Sequence, residues 1–210
     1  MNKDTKLTAT ASAGTVATDR PDAIRPLALP VTLWRIARCA AVTVVLLARG
    51  RMHQPVTNVG ERLTFDDGTC APVYRETVVD RSPPREPTVL VVTFRMRLLN
   101  GRRGQAYFRL ISLLNTVLFA GFPGFATKLW LAADEQGKYR GLYEWDGARL
   151  ADDYVRALWW PLMIISQRNS IRYRVLPGRR RDELLTGSGD PTSTRLDDGW
   201  WKVVVASALS

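Results

Sequence analysis

Apolar and polar positions divide the chain into stretches of different period. Residues 1–27 are rich in Thr, Ala, Ser and Asp and show no apolar period, so they read as a disordered leader. No apolar run follows the first basic residues, and no secretory signal is expected at Met1. Over residues 28–50 the chain turns apolar, and Pro30 suits a helix start. The apolar run from Cys39 to Ala48 is about half of the roughly twenty residues that a membrane span needs. Extending it back to Val31 supplies the length but brings in Arg35 and Arg38, which lie three apart and share one helix face. The pattern predicts a helix that is apolar on one side and basic on the other, with Trp34 at the boundary. Such a helix docks on its own core or a partner, or lies in a membrane surface. A true span is the remaining reading.

The next stretch alternates. Arg62 to Phe65 and Pro72 to Val79 read as two strands, and the turn Asp66-Asp67-Gly68-Thr69 between them is the strongest local signal in the chain. Residues 51–81 are therefore expected to form a β-hairpin extension. Ser82 to Pro87 is a Pro-rich linker. Residues 88–178 then read as strand, helix, strand, strand, helix, strand. Thr88 to Leu98 is β-branched and apolar, as in a strand buried on both faces. Gln105 to Ala120 carries apolar residues at spacings of three and four, and Gly121-Phe122-Pro123-Gly124 stops that helix. Phe125 to Ala132 and Tyr139 to Trp145 are strands joined by a turn at Asp134 to Gly137. Asp146 is placed to cap the next helix, which Pro161 should kink or shorten. Ile171 to Leu176 is the last strand. The tail, residues 179–210, opens on three arginines, passes through linker-like sequence, and has one apolar stretch, Gly199 to Val205, suited to an added strand or a docking segment.

Composition narrows what such a chain does. Its 210 residues are 46% hydrophobic, which is enough for a packed core. Two cysteines, Cys39 and Cys70, exclude a disulfide framework, and both read as small buried residues. The single histidine, His53, leaves no basis for a zinc site or for a Ser-His-Asp triad within residues 88–178. No phosphate-binding glycine loop and no nucleophile elbow occur. The formal net charge is +10. Residues 88–178 hold 13 basic against 6 acidic residues, so the excess concentrates there. That balance suits anionic partners or a solvated basic surface.

The order βαββαβ describes a ferredoxin-like module, an antiparallel sheet with both helices on one face and the other face needing cover. Phe122-Pro123-Gly124-Phe125, the strand Lys128-Leu129-Trp130-Leu131, and Gly141-Leu142-Tyr143-Glu144-Trp145-Asp146 before an amphipathic helix resemble the dimeric α/β-barrel superfamily. That group includes antibiotic-biosynthesis-type and YdhR-like monooxygenases. The resemblance covers residues 88–178 and implies a homodimer whose sheets close into a barrel. The expected location is cytoplasmic, with a peripheral position at the inner face of the membrane as the alternative that residues 28–50 leave open. It implies a small aromatic or polyketide-type ligand between sheet and helices. Family activities range from cofactor-free oxygenation to haem degradation and simple binding. Residues 88–178 lack a histidine, so haem is not expected and no cofactor is. By residue type, Trp130, Tyr143 and Arg172 match the catalytic groups of the cofactor-free branch, with Arg172 stabilising an enolate or phenolate. Asn115, Trp145 and Tyr173 match the substrate-binding groups. The expected fold is thus α+β, a ferredoxin-like module forming a dimeric α/β barrel with an N-terminal helix and a β-hairpin extension. A non-catalytic binder with the same barrel is the second functional reading. RNA binding through the open face is the third and is disfavoured. Arg140-Gly141-Leu142-Tyr143-Glu144-Trp145 puts Glu144 where the RNA-recognition motif needs a stacking aromatic.

Overall fold

The computed structural model describes residues 16–18, 25–97, 116, 118–186 and 199–207. Within them nine strands form one antiparallel, curled sheet. They are β1 (Val16–Thr18), β2 (Met52–His53), β3 (Arg62–Phe65), β4 (Cys70–Val79), β5 (Pro87–Arg95), β6 (Phe125–Leu131), β7 (Lys138–Asp146), β8 (Arg172–Pro177) and β9 (Val203–Ser207). Eight of them run in the spatial order β1-β8-β5-β7-β6-β4-β3-β9, and β2 pairs with β4 beside this path. Three helices accompany the sheet: α1 (Leu29–Ala48), α2 (Ala148–Ile165) and the short α3 (Arg181–Leu185).

The elements follow from local chemistry. The β3–β4 turn works because Gly68 takes φ 78°, in the left-handed region that favours glycine. Asp67 Oδ1 accepts the Thr69 backbone N–H at 3.1 Å, closing the turn from the side-chain side. Strand β5 is buried from Val89 to Val92 because both sheet faces are covered. Helix α2 runs through Pro161 to Ile165 instead of ending there. Asp146 does not cap it. Its Oδ1 accepts the backbone N–H groups of Arg85 and Glu86 at 2.8 and 2.9 Å, so it fastens the Pro-rich segment onto the end of β7. The hairpin is more than an extension, because β4 pairs along its length with β6 and is an interior strand.

Side-chain alternation sorts the residues into two cores. One lies under α1 and α2 and contains Leu90, Val92, Trp130, Tyr143, Trp145, Tyr154, Tyr173 and Val175. The other lies on the opposite face and contains Val89, Val91, Leu129, Leu131, Leu142 and Leu176. The chain covers that second face itself. Leu63 and Phe65 of β3, Leu184 of α3, Trp200 and Val203 of β9 all join the same cluster. Buried ion pairs pin this cover. Arg140 donates to Asp134 at 2.6 Å, Asp67 at 3.0 Å, Thr69 at 2.7 Å and the Trp200 carbonyl at 3.2 Å. Arg181 donates to Glu76 at 2.6 Å. The face expected to need a second subunit or RNA is therefore filled from within the chain. The four strands expected within residues 88–178 are neighbours in the order β8-β5-β7-β6. The expected helix at 105–120 lies outside the described residues apart from 116 and 118–120.

Candidate functional site

Strand register sets a small grid of side chains on the helix-facing side of the sheet. Thr77, Lys128 and Tyr143 are cross-strand neighbours in one row, and Arg75, Trp130 and Gly141 in the next. Alternation places Lys128 and Trp130, two apart, on the same face. Gly141 keeps this grid compact, because a Cβ there would meet the Tyr143 ring at 2.8 Å.

Lys128 is 3% exposed. Its Nζ lies 3.0 Å from the Trp130 ring centroid, 4.5 Å from that of Phe119 and 4.6 Å from that of Tyr143. The Arg75 guanidinium sits 4.5 Å from the same indole and donates to Thr116 Oγ1. Trp130 is held in turn, its Nε1–H donating to Thr77 Oγ1 at 3.1 Å. Behind it, Tyr154 of α2 donates its hydroxyl to Tyr143 at 3.3 Å. Among the described residues no carboxylate hydrogen-bonds or ion-pairs with Lys128.

Two effects oppose each other at that amine. Ring faces attract an ammonium by about 2 kcal/mol or more when water is excluded. Removing an ammonium from water costs several kcal/mol. Burial wins and holds Lys128 well below the usual lysine range, and the Arg75 charge adds to the effect. Burial also lowers Arg75 and raises Tyr143 and Tyr154. The chain has five lysines against 25 arginines, so a lysine at this position is not the default cation of the sequence. The difference matters, because a buried amine sheds its proton while a guanidinium keeps it.

Of the residues singled out by sequence, Trp130 and Tyr143 meet here across Lys128 and Phe119. Trp145 shares the face farther along β7, meeting Phe125 edge-to-face at 5.6 Å and Tyr154 in a tilted contact at 4.8 Å between ring centroids. Tyr173 lies on the same side and donates to Asp152 of α2 at 3.2 Å. Arg172 does not join them. Alternation turns it to the opposite face, where its guanidinium stacks 5.0 Å from Trp200. Asn115 lies outside the described residues. Sequence reading passed over Lys128, Arg75 and Thr77. The available signal was a lysine two residues from a tryptophan within an otherwise apolar strand. Among the described residues no group of three His, Cys, Asp or Glu side chains is placed to hold a metal ion.

No family model matches the chain, and no curated protein does. Among solved structures it is similar to one described as that of a major regulator of staphylococcal pathogenesis. The identity is 12%, the match covers 65% of this chain and 90% of that one, and the TM-score is 0.36. That likeness carries no functional argument. The resemblance to the dimeric α/β-barrel monooxygenases is corrected by these findings. No such family is matched, and α3, Trp200 and the β3–β9 pair occupy the sheet face that those barrels close with a second subunit.

Proposed function

We propose that this chain binds a small aromatic acid on the helix-facing side of the sheet. Lys128 and Arg75 take the anionic group, and Trp130, Phe119 and Tyr143 pack against the ring system. The observation that supports this reading is the pair of buried basic side chains on one indole, with Lys128 enclosed by three aromatic rings. An entering anion supplies the counter-charge that the amine lacks among the described residues. It draws Nζ off the Trp130 face and favours the protonated amine that burial disfavours.

Calorimetric titration with 1-naphthoate and with its uncharged relative 1-naphthamide tests this. The acid should bind about tenfold to a hundredfold more tightly, the range expected for a hydrogen bond to a charged group. Lys128→Met should erase that preference while leaving amide binding in place. Because binding takes up a proton, naphthoate affinity should fall by up to about tenfold per pH unit while the free amine is uncharged. Equal binding of acid and amide by the native chain, or a preference that survives Lys128→Met, sinks the proposal.

A further inference from the structure

Helix α1 is long and apolar enough, by length and composition, to cross a membrane. One stripe of it is instead docked on the protein. Thr32, Cys39, Thr43 and Leu46 are buried at spacings of seven, four and three. Gly121 brings the backbones together, since a Cβ there would stand 2.1 Å from the Cys39 carbonyl oxygen. At the helix entry, Trp160 of α2 donates its Nε1–H to the Leu27 carbonyl at 3.1 Å. A helix fastened this way on one side, with Arg35 and Arg38 in its first half, is not a free span.

The side away from the protein is apolar. Leu33, Trp34, Ala37, Ala41, Val44 and Val45 are all exposed and recur at spacings of one, three and four. Trp34 is 69% and Val44 58% exposed. Arg35, Arg38 and Arg49 run along one flank of this face. Between that flank, the Gly121–Pro123 loop and α2 lies a cavity of about 340 Å³. Arg35, Arg38 and Arg81 line it, with Phe122 and Leu150 as its apolar wall. Its single carboxylate, Asp153, pairs with Arg35 at 3.5 Å, which leaves the cavity cationic.

The geometry points to a docking surface for an anionic phospholipid bilayer. Helix α1 lies in the plane of the interface with its Leu33–Val45 face at the acyl boundary, and the arginine-lined cavity receives a lipid phosphate. Trp34 sits where an amphipathic ring anchors at headgroup level. Charge decides between this occupant and a second copy of the chain. A net charge of +10 and a basic flank repel a second copy and attract an anionic surface. This docking is independent of ligand binding at Lys128.

The test is flotation of the full chain with vesicles of phosphatidylcholine alone and with roughly a third phosphatidylglycerol. The chain should float with the anionic vesicles, and salt should weaken this. Val44→Asp and Leu33→Asp, both at exposed positions, should abolish flotation without changing the circular dichroism spectrum or Tm. Arg38→Ala should weaken it about fivefold, the equivalent of one basic residue near an anionic surface. Brominated lipid should quench the tryptophan emission, and Trp34→Phe should lose most of that quenching. Free glycerol 3-phosphate should not displace the chain, since the apolar face holds the bilayer and not a soluble phosphate. No flotation at any phosphatidylglycerol content overturns the proposal. So does flotation that Val44→Asp leaves intact. A vesicle-free dimer that Val44→Asp splits into monomers would assign the face to a second copy and overturn it too.

Discussion

A lysine placed where its ammonium is disfavoured lowers the stability of the empty fold, and the sign of its pH dependence follows. The folded pKa of Lys128 lies below its ordinary 10.5. Between those two values the unfolded chain holds one proton more than the folded chain. The contribution of Lys128 to stability therefore improves as pH rises through that window. Each pH unit of depression corresponds to about 1.4 kcal/mol. Lys128→Met should raise Tm at neutral pH, by about 2–4 °C for each kcal/mol recovered. The advantage should shrink as pH approaches 10. Tyr143 and Tyr154 are raised by burial, so the stability they supply is lost above their ordinary 10.0, and the comparison belongs below that pH. Parallel melting curves of native chain and variant from about pH 6 to pH 10 check this. A variant less stable at neutral pH would show that the amine is charged and satisfied. Trp130 and Tyr143 were legible in the sequence as aromatic candidates because their residue types announce themselves. Lys128 was not, because a lysine reads as surface until strand register turns it inward. Arg172 shows the converse. Its residue type suited a site, but alternation with Tyr173 sends it to the far face, against Trp200.

At the scale of elements, local pattern carried most of what was legible. Alternation located β3, β4 and β6, a continuous β-branched apolar run located β5, and the Asp67-Gly68 turn located the hairpin. The Pro30 start and the apolar period located α1. Strand order was not legible, since nothing local says that β4 pairs with β6. The partners of Asp146 were equally hidden, because a carboxylate before a helix looks like a cap wherever the N–H groups that donate to it lie. The seating of α1 rests on one close approach that sequence shows only as a helix stop. Gly121→Ala puts a methyl group against the Cys39 carbonyl. The helix must then shift, at a cost of about 1–3 kcal/mol for forced overpacking. Cys39 reports on this. It is 2% exposed, and burial pushes its thiol up to about 11, so it should react slowly with a disulfide reagent. In a Cys70→Ser background, Gly121→Ala should speed labelling of Cys39 at least tenfold. An unchanged rate would mean that the α1 contact yields without opening.

At the scale of the whole molecule, the decisive event is the return of the tail. A four-stranded sheet with helices on one face leaves an apolar surface that needs cover, and a reading confined to residues 88–178 has to supply that cover from outside. Here the cover comes from both ends of the chain's own sequence. β3 comes from before the central strands, while α3, Trp200 and β9 come from after them. β9 pairs with β3 and, among the described residues, with no central strand, so it forms the far edge of the sheet. Trp200 is the keystone, 1% exposed, with Arg172 stacked on its ring and Arg140 bonded to its carbonyl. Trp200→Ala should therefore cost about 3–5 kcal/mol, as for other buried aromatics cut back to alanine. It should also uncover Val89, Val91, Leu129 and Leu142. The expected readouts are a Tm lower by about 6–20 °C and concentration-dependent association by light scattering. Helix α1 lies on the other face, so vesicle flotation should survive in the folded fraction. A Trp200→Ala chain that keeps its Tm and its mass would show that the tail only decorates the sheet, and the second face would again need an external partner.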